Sequence, residues 1–307
     1  MVSLIESTTG MWLVGLFLQS MLHGMGLLQG FLYFVWYSKD NWTVKGTVVA
    51  VLLAESIQMG AAFANAYEWL IPGFGNFPNL NIIHWQDMVQ LTLQYFSTFI
   101  VQVHFARTIY NLHMRDIYLP IFIFLLALLS FGAGLGQVIL ATRLGEYSKL
   151  GEASTSVTTI LQAAVALTAD IAITVGIFWR LNASRTGVQA TNKILNFLII
   201  TAINRGVFTM LTAALSVILF LSKPGTFYFM VPLLLSNKFY MNSMLAMLNT
   251  REFAVGQAHG TRVVNSDSMP MFATSSVNRF GVSGVNVSTV KETSGDIVSL
   301  DGKMTGF

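Results

Sequence analysis

The sequence predicts an all-α integral membrane protein, a seven transmembrane helix bundle with the N-terminus outside, the C-terminus cytoplasmic and a disordered C-terminal tail. Three observations predict it. Hydrophobic residues make up 54% of the 307 and charged residues only 10%, against about 25% charged in a soluble domain. Seven apolar segments are each long enough for the ~20 helical residues that cross a hydrocarbon core. Short polar breaks holding Gly, Pro, Asn and charged residues separate them, and such residues end helices by removing a donor or relaxing the backbone. The implied organisation is a short extracellular N-terminus over 1–10, a transmembrane domain over 11–249 and a tail over 250–307.

The first span, Met11 to Tyr37, carries Gln19, His23, Gly26 and Gly30 at helical spacing. With Glu6 as the sole charge before it, the chain start lacks the basic region of a secretory signal, so this segment is expected to be retained. The second span, Val44 to Leu70, shows Glu55, Gln58, Ala62 and Asn65. The third, Met88 to Tyr110, shows Gln90, Gln94 and Ser97, and the fourth, Ile117 to Ala141, is apolar enough to face lipid. The fifth, Val157 to Trp179, has Thr159, Gln162, Asp170 and Thr174. The sixth, Ile194 to Leu221, has Thr201, Arg205, Thr209, Thr212 and Ser216, and the seventh, Phe227 to Leu248, has Lys238, Asn242 and Asn249. Each stripe predicts one polar, inward face. The pairs Gly26–Gly30 and Gly132–Gly136 match GxxxG and predict ordinary close packing.

Lys39, Lys45, Arg107, Arg115, Arg180, Arg185, Lys193 and Arg251 gather on one side of the expected topology, against Arg143, Lys149 and Lys223 on the other. The richer side is expected to be cytoplasmic. The sequons at Asn41, Asn182 and Asn286 then fall on that side and should stay unmodified. The tail, rich in Ser, Thr, Gly and Asn, has too little hydrophobicity for a core and offers a contact to a cytoplasmic partner.

Charge inside a bilayer is costly, so ionisable residues there face the bundle interior and seek partners. Glu55, Asp170, Arg205 and Lys238 each lie roughly 10–12 residues from the expected cytoplasmic helix ends, near the midplane at about 1.5 Å per residue. Two acids and two bases at one depth predict pairing, with Lys238 and Asp170 as the pair to test. With His23 and Gln58 they form the candidate intramembrane network for a ligand or ion. Two readings stay open: a polar cavity that binds or relays, and satisfied pairs that only fix helix register.

Other chemistry is absent from the sequence. The chain has no cysteine, and its five histidines show no metal-ligand spacing. No phosphate-binding Gly-rich loop and no nucleophile elbow occur, so neither enzyme nor cofactor is expected. A net charge of +3 is too small to argue for nucleic acid. Lys238 sits at the depth of a retinal-binding lysine, but the third span lacks a mid-membrane carboxylate, so an ion-paired structural lysine is expected.

The last three spans resemble a family of basidiomycete multi-pass membrane proteins defined by a domain of unknown function. The residues that carry the resemblance are Asp170 to Thr174, Arg185-Thr186-Gly187 with Thr191, Gly206 to Thr209, and Lys238 to Arg251 with its Asn242, Ser243, Leu248, Asn249 and Arg251 signature. Weaker similarity at Gly26, Gln29, Tyr33, Asp40 and Lys45 extends it through the first two spans. The resemblance implies the seven-helix architecture and a fungal origin, and it implies no activity. Glu55 and Arg205 lie outside the residues that carry it.

The functional expectation is a receptor-like or sensory protein of the plasma membrane, embedded in the lipid bilayer and binding a small or lipid-like ligand in its polar interior. The alternatives are an ion- or proton-coupled small-molecule transporter using the four charges, and a non-catalytic membrane organiser. Lack of an internal repeat weighs against the transporter.

Overall fold

The computed structural model describes residues 6–112, 117–151, 153–183, 189–223 and 226–258. Among them are seven long helices, here α1 (Met11–Trp36), α2 (Trp42–Leu70), α3 (Trp85–Leu112), α4 (Tyr118–Leu144), α5 (Ala153–Ala183), α6 (Gln189–Ser222) and α7 (Met230–Ala258). Helix follows from composition: in hydrocarbon only a helix satisfies every backbone group within its own segment. The breaks carry the stop signals. Asn41 caps α2 by accepting from the Thr43 amide at 3.2 Å. Asp87 reaches back to the His84 amide at 2.9 Å, half of a capping box at the start of α3. Gly145 closes α4 in the left-handed region at φ 68°, where a side chain would be strained.

Both ends of the chain's first unit differ from expectation. Glu6–Gly10 form a π-helical turn that runs into α1, with Thr8 and Thr9 buried, and the Ser7 carbonyl accepts from the Phe227 amide at 2.9 Å. The chain is therefore packed from residue 6 onward. Helix α7 continues to Ala258, beyond the end of its apolar run. Loss of hydrophobicity marks where a membrane stops, and the helix runs on through residues such as Arg251, Glu252 and Ala254 that favour it. The rest of the tail, the Asn286 sequon, His113, the loop holding Arg185 and the side chain of Arg251 lie outside the described residues.

The helices close into a ring in which each packs on its chain neighbours and α7 packs back on α1. Helices α3 and α7 lie innermost: α3 touches α2, α4, α5 and α7, while α7 touches α1, α2, α3 and α6. Five helices are long and apolar enough to cross a membrane, namely α1, α2, α4, α5 and α6. The two that miss that measure are the inner pair. These two carry much of the buried polar content, Gln90, Ser97 and Gln102 on α3 and Asn237 and Lys238 on α7 among it.

The packing contacts revise the glycine reading. A Cβ on Gly26 would meet Met241 of α7 at 2.1 Å, and one on Gly30 would meet Leu52 of α2 at 2.5 Å, so these two glycines serve two different interfaces. In α4 the expected pair Gly132 and Gly136 has nothing closer than 4.0 Å, and Gly134 takes the close approach, under the ring of Tyr95. As expected, α4 packs only on α3 and α5 among the helices and turns Phe122, Leu125 and Leu129 outward.

Candidate functional site

The four expected charges form two buried ion pairs. Lys238 Nζ lies 2.6 Å from Glu55 Oε2, with both side chains wholly buried, and joins α7 to α2. Arg205 Nη2 lies 2.5 Å from Asp170 Oδ1, joining α6 to α5. The pairing of Lys238 with Asp170 that the sequence suggested is thereby replaced. Charge and depth cannot choose between two acids; direction around α7 does, because Lys238 faces Glu55 of α2 while Tyr240, about 200° further round the helix, is the residue that reaches Asp170.

Neutral groups bond to each pair, as a buried charge requires, while Arg205 Nε, Gln58 Nε2 and Gln102 Oε1 have no hydrogen-bond partner among the described residues. At the first, Ser97 donates to Glu55 Oε1 at 2.6 Å and Asn237 Nδ2 donates to the same oxygen at 2.6 Å. Gln58 Oε1 accepts from Lys238 Nζ at 2.7 Å and from Asn237 at 3.2 Å. His23 stands at the edge of this cluster, with Nε2 3.4 Å from Ser56 Oγ and no bond to either charge. At the second pair, Tyr240 hydroxyl donates to Asp170 Oδ2 and Gln102 Nε2 donates to Oδ1 at 3.4 Å. The Arg205 guanidinium lies over the ring of Phe105 at 4.2 Å and near that of Tyr240 at 5.2 Å. A carboxylate and a ring face together offset much of the cost of burying this arginine.

Helix α3 links the two clusters. Ser97 and Thr98 reach the first, Thr98 at 3.5 Å from Asn237, while Gln102 and Phe105 reach the second. Gln94, Thr98, Gln102 and Phe105 follow steps of four and three, a stripe readable in the sequence beside the Gln90, Gln94, Ser97 series. Asn237 and Tyr240 carried no such signal. They lie about 100° and 200° around α7 from Lys238, and only packing on two sides makes those directions buried. Beside Gln102, Tyr95, Thr98, Phe99, Ala127, Ser130 and Gln162 close on one another without leaving room for a water molecule.

The signature residues of α7 clasp α1. Asn242 Nδ2 donates to the Leu22 carbonyl at 3.0 Å, and Asn249 Nδ2 to the Gln29 carbonyl at 2.9 Å. Donors and acceptors each repeat at seven residues, so the two rungs lie one above the other. Ser243 bonds back to the Tyr240 carbonyl, and Leu248 is core. Tyr37 hydroxyl adds a bond to the Asn249 carbonyl at 3.1 Å.

A third polar cluster, at the bundle end nearest residue 6, has no counterpart in the sequence reading. Asp87 is 8% exposed and accepts from Asn65 Nδ2 at 2.5 Å and from the Tyr147 hydroxyl. Tyr147 belongs in turn to an aromatic group centred on Trp69, with Trp12, Tyr147 and Phe227 at 5.2, 6.3 and 6.0 Å between centroids. Burial first, and then the Asp87 carboxylate, pushes the Tyr147 phenol well above its usual range. Exposed Glu146, on the same loop, is held below the usual carboxylate range by the Lys149 ammonium at 2.7 Å.

No curated protein and no solved structure matches this chain. Residues 166–253, from the middle of α5 to near the end of α7, match the model of a family described as a family of unknown function (DUF6534), a stretch that holds Asp170, Arg205 and Lys238 but not Glu55.

Proposed function

We propose that the chain spans the membrane seven times and works as a receptor-like protein, its N-terminus outside and its C-terminus in the cytoplasm of the plasma membrane. The observation that carries this reading is that each ion pair joins two helices and both lean on α3. A change at one pair therefore moves a helix that the other pair also holds. Such a linked arrangement gives a bundle two alternative packings, the requirement for a switch. The reading is non-enzymatic. The excess of basic residues at the α1–α2 break and the far ends of α3 and α5 supports the orientation.

The second reading is an organiser without a ligand, favoured by the Asn242 and Asn249 clasp and by the deep burial of both ion pairs. Labels on α3 and α6 separate the two: a receptor shows two distances between them, redistributed by Asp170→Asn, and an organiser shows one. A carrier would use the four buried charges to pass an ion or proton. Proteoliposomes under proton, sodium and potassium gradients are expected to show no flux. Flux that Asp170→Asn abolishes would establish a carrier and overturn the receptor-like reading.

A further inference from the structure

Asp87 differs from the other buried carboxylates. Glu55 and Asp170 each face a cation, whereas no Lys or Arg among the described residues pairs with Asp87. Asn65, the His84 amide and Tyr147 bond to it, and the His84 imidazole acts on it electrostatically. A carboxylate buried without a Lys or Arg is costly to keep. Unspent polar atoms occur on Asn65 itself and on residues near Asp87 along the chain or one helical turn from Asn65. Asn65 Oδ1, Gln86 Oε1, Trp69 Nε1 and His84 Nε2 are buried without a hydrogen-bond partner among the described residues. Asn65, Trp69 and Gln86 are 0%, 3% and 6% exposed. Native proteins leave few such groups idle, and each calls for an explanation.

We infer that this cap binds an organic ammonium ion, an amine with an apolar body, with Asp87 as its counter-charge. The inference rests on the receptor-like reading and names the class of its ligand. One carboxylate and two amide oxygens match the several N–H donors of an ammonium group. The faces of Trp69 and Tyr147 attract a cation and accept an apolar body. An anion would meet the Asp87 charge. A metal ion would lack ligands, since no group of three His, Cys, Asp or Glu side chains converges among the described residues.

Entry requires the loop carrying Tyr147 to lift, because the rings pack against one another. That loop is pinned by Ile83 amide to Gly145 carbonyl at 2.9 Å, by Asn81 to Ser148 at 2.9 and 3.0 Å, and by the half-exposed Glu146–Lys149 pair. Exposed pins of this kind hold weakly.

The test is calorimetric titration of the full chain in lipid nanodiscs with phenethylammonium and with its neutral counterpart 2-phenylethanol. Saturable binding of the amine is expected, with the alcohol roughly tenfold or more weaker. Asp87→Asn should weaken the amine by at least about tenfold while leaving the alcohol unchanged. Should that variant fail to fold, Trp69→Phe and Tyr147→Phe decide, each expected to weaken the amine several-fold; unchanged affinity in both overturns the inference. Equal binding of amine and alcohol, or no saturable binding of the amine up to ~10 mM, also overturns it. Binding is read directly, so its failure leaves the receptor-like reading to the α3–α6 distance measurement. Amine binding that leaves that distance unchanged overturns the receptor-like reading and keeps the site.

Discussion

Lys238 and Glu55 show how residue identity and partner choice divide. A buried pair loses about 3–5 kcal/mol when one member is removed, because the other charge is left unpaired. Glu55→Gln and Lys238→Met are each expected to lower the unfolding free energy by about that amount, and the double variant should recover most of it. Lys238→Met combined with Asp170→Asn should instead add, since the two belong to different pairs. Thermal unfolding in detergent, followed by size-exclusion recovery, checks both; recovery in the second double variant would contradict the geometry. Exposed Glu146 sets a smaller effect with a definite sign. Its carboxyl titrates lower in the folded chain, so the Lys149 contact contributes above the unfolded carboxylate range and is lost as pH falls through the folded value. Limited proteolysis of the α4–α5 loop should accelerate on acidification, and Glu146→Gln should remove that dependence.

At the scale of the element, α1 and α7 make the instructive pair. Their contact depends on absent volume at Gly26 and on two asparagine rungs a heptad apart. Gly26→Leu should cost about 1–3 kcal/mol through overpacking against Met241, while Gly132→Leu should fall within about 0.5 kcal/mol. Asn242→Ala and Asn249→Ala should each cost roughly 0.6 kcal/mol, the usual worth of an interhelical hydrogen bond in a membrane. Denaturant titration of the four variants gives the comparison, and a costly Gly132→Leu would place α4 against a neighbour that the fold does not give it.

For the whole molecule, five helices are apolar enough to cross a membrane, and α3 and α7, the innermost two, are the more polar ones. Accessibility labelling of single cysteines, straightforward in a chain without native cysteine, tests the proposed topology. Labels at residues 39 and 107 should react from one side of the membrane, and labels at 74 and 148 from the other. A glycan on Asn41 in a eukaryotic host would invert the proposed orientation.

Much of this architecture was legible in one dimension. Seven apolar runs separated by Pro, Gly and Asn breaks determine seven helices, because hydrocarbon admits no other open-chain solution. Helical spacing alone places Glu55, Gln58, Arg205 and Lys238 on inward faces. The tertiary structure decided what spacing cannot hold. It paired Lys238 with Glu55 rather than Asp170 and brought Asn237 and Tyr240 inward on other faces of α7. It also brought Asp87 together with Asn65 and Tyr147, residues from three separate segments. A single helix reports which way a side chain points along its own axis; which helix stands there to meet it depends on the packing of all the others.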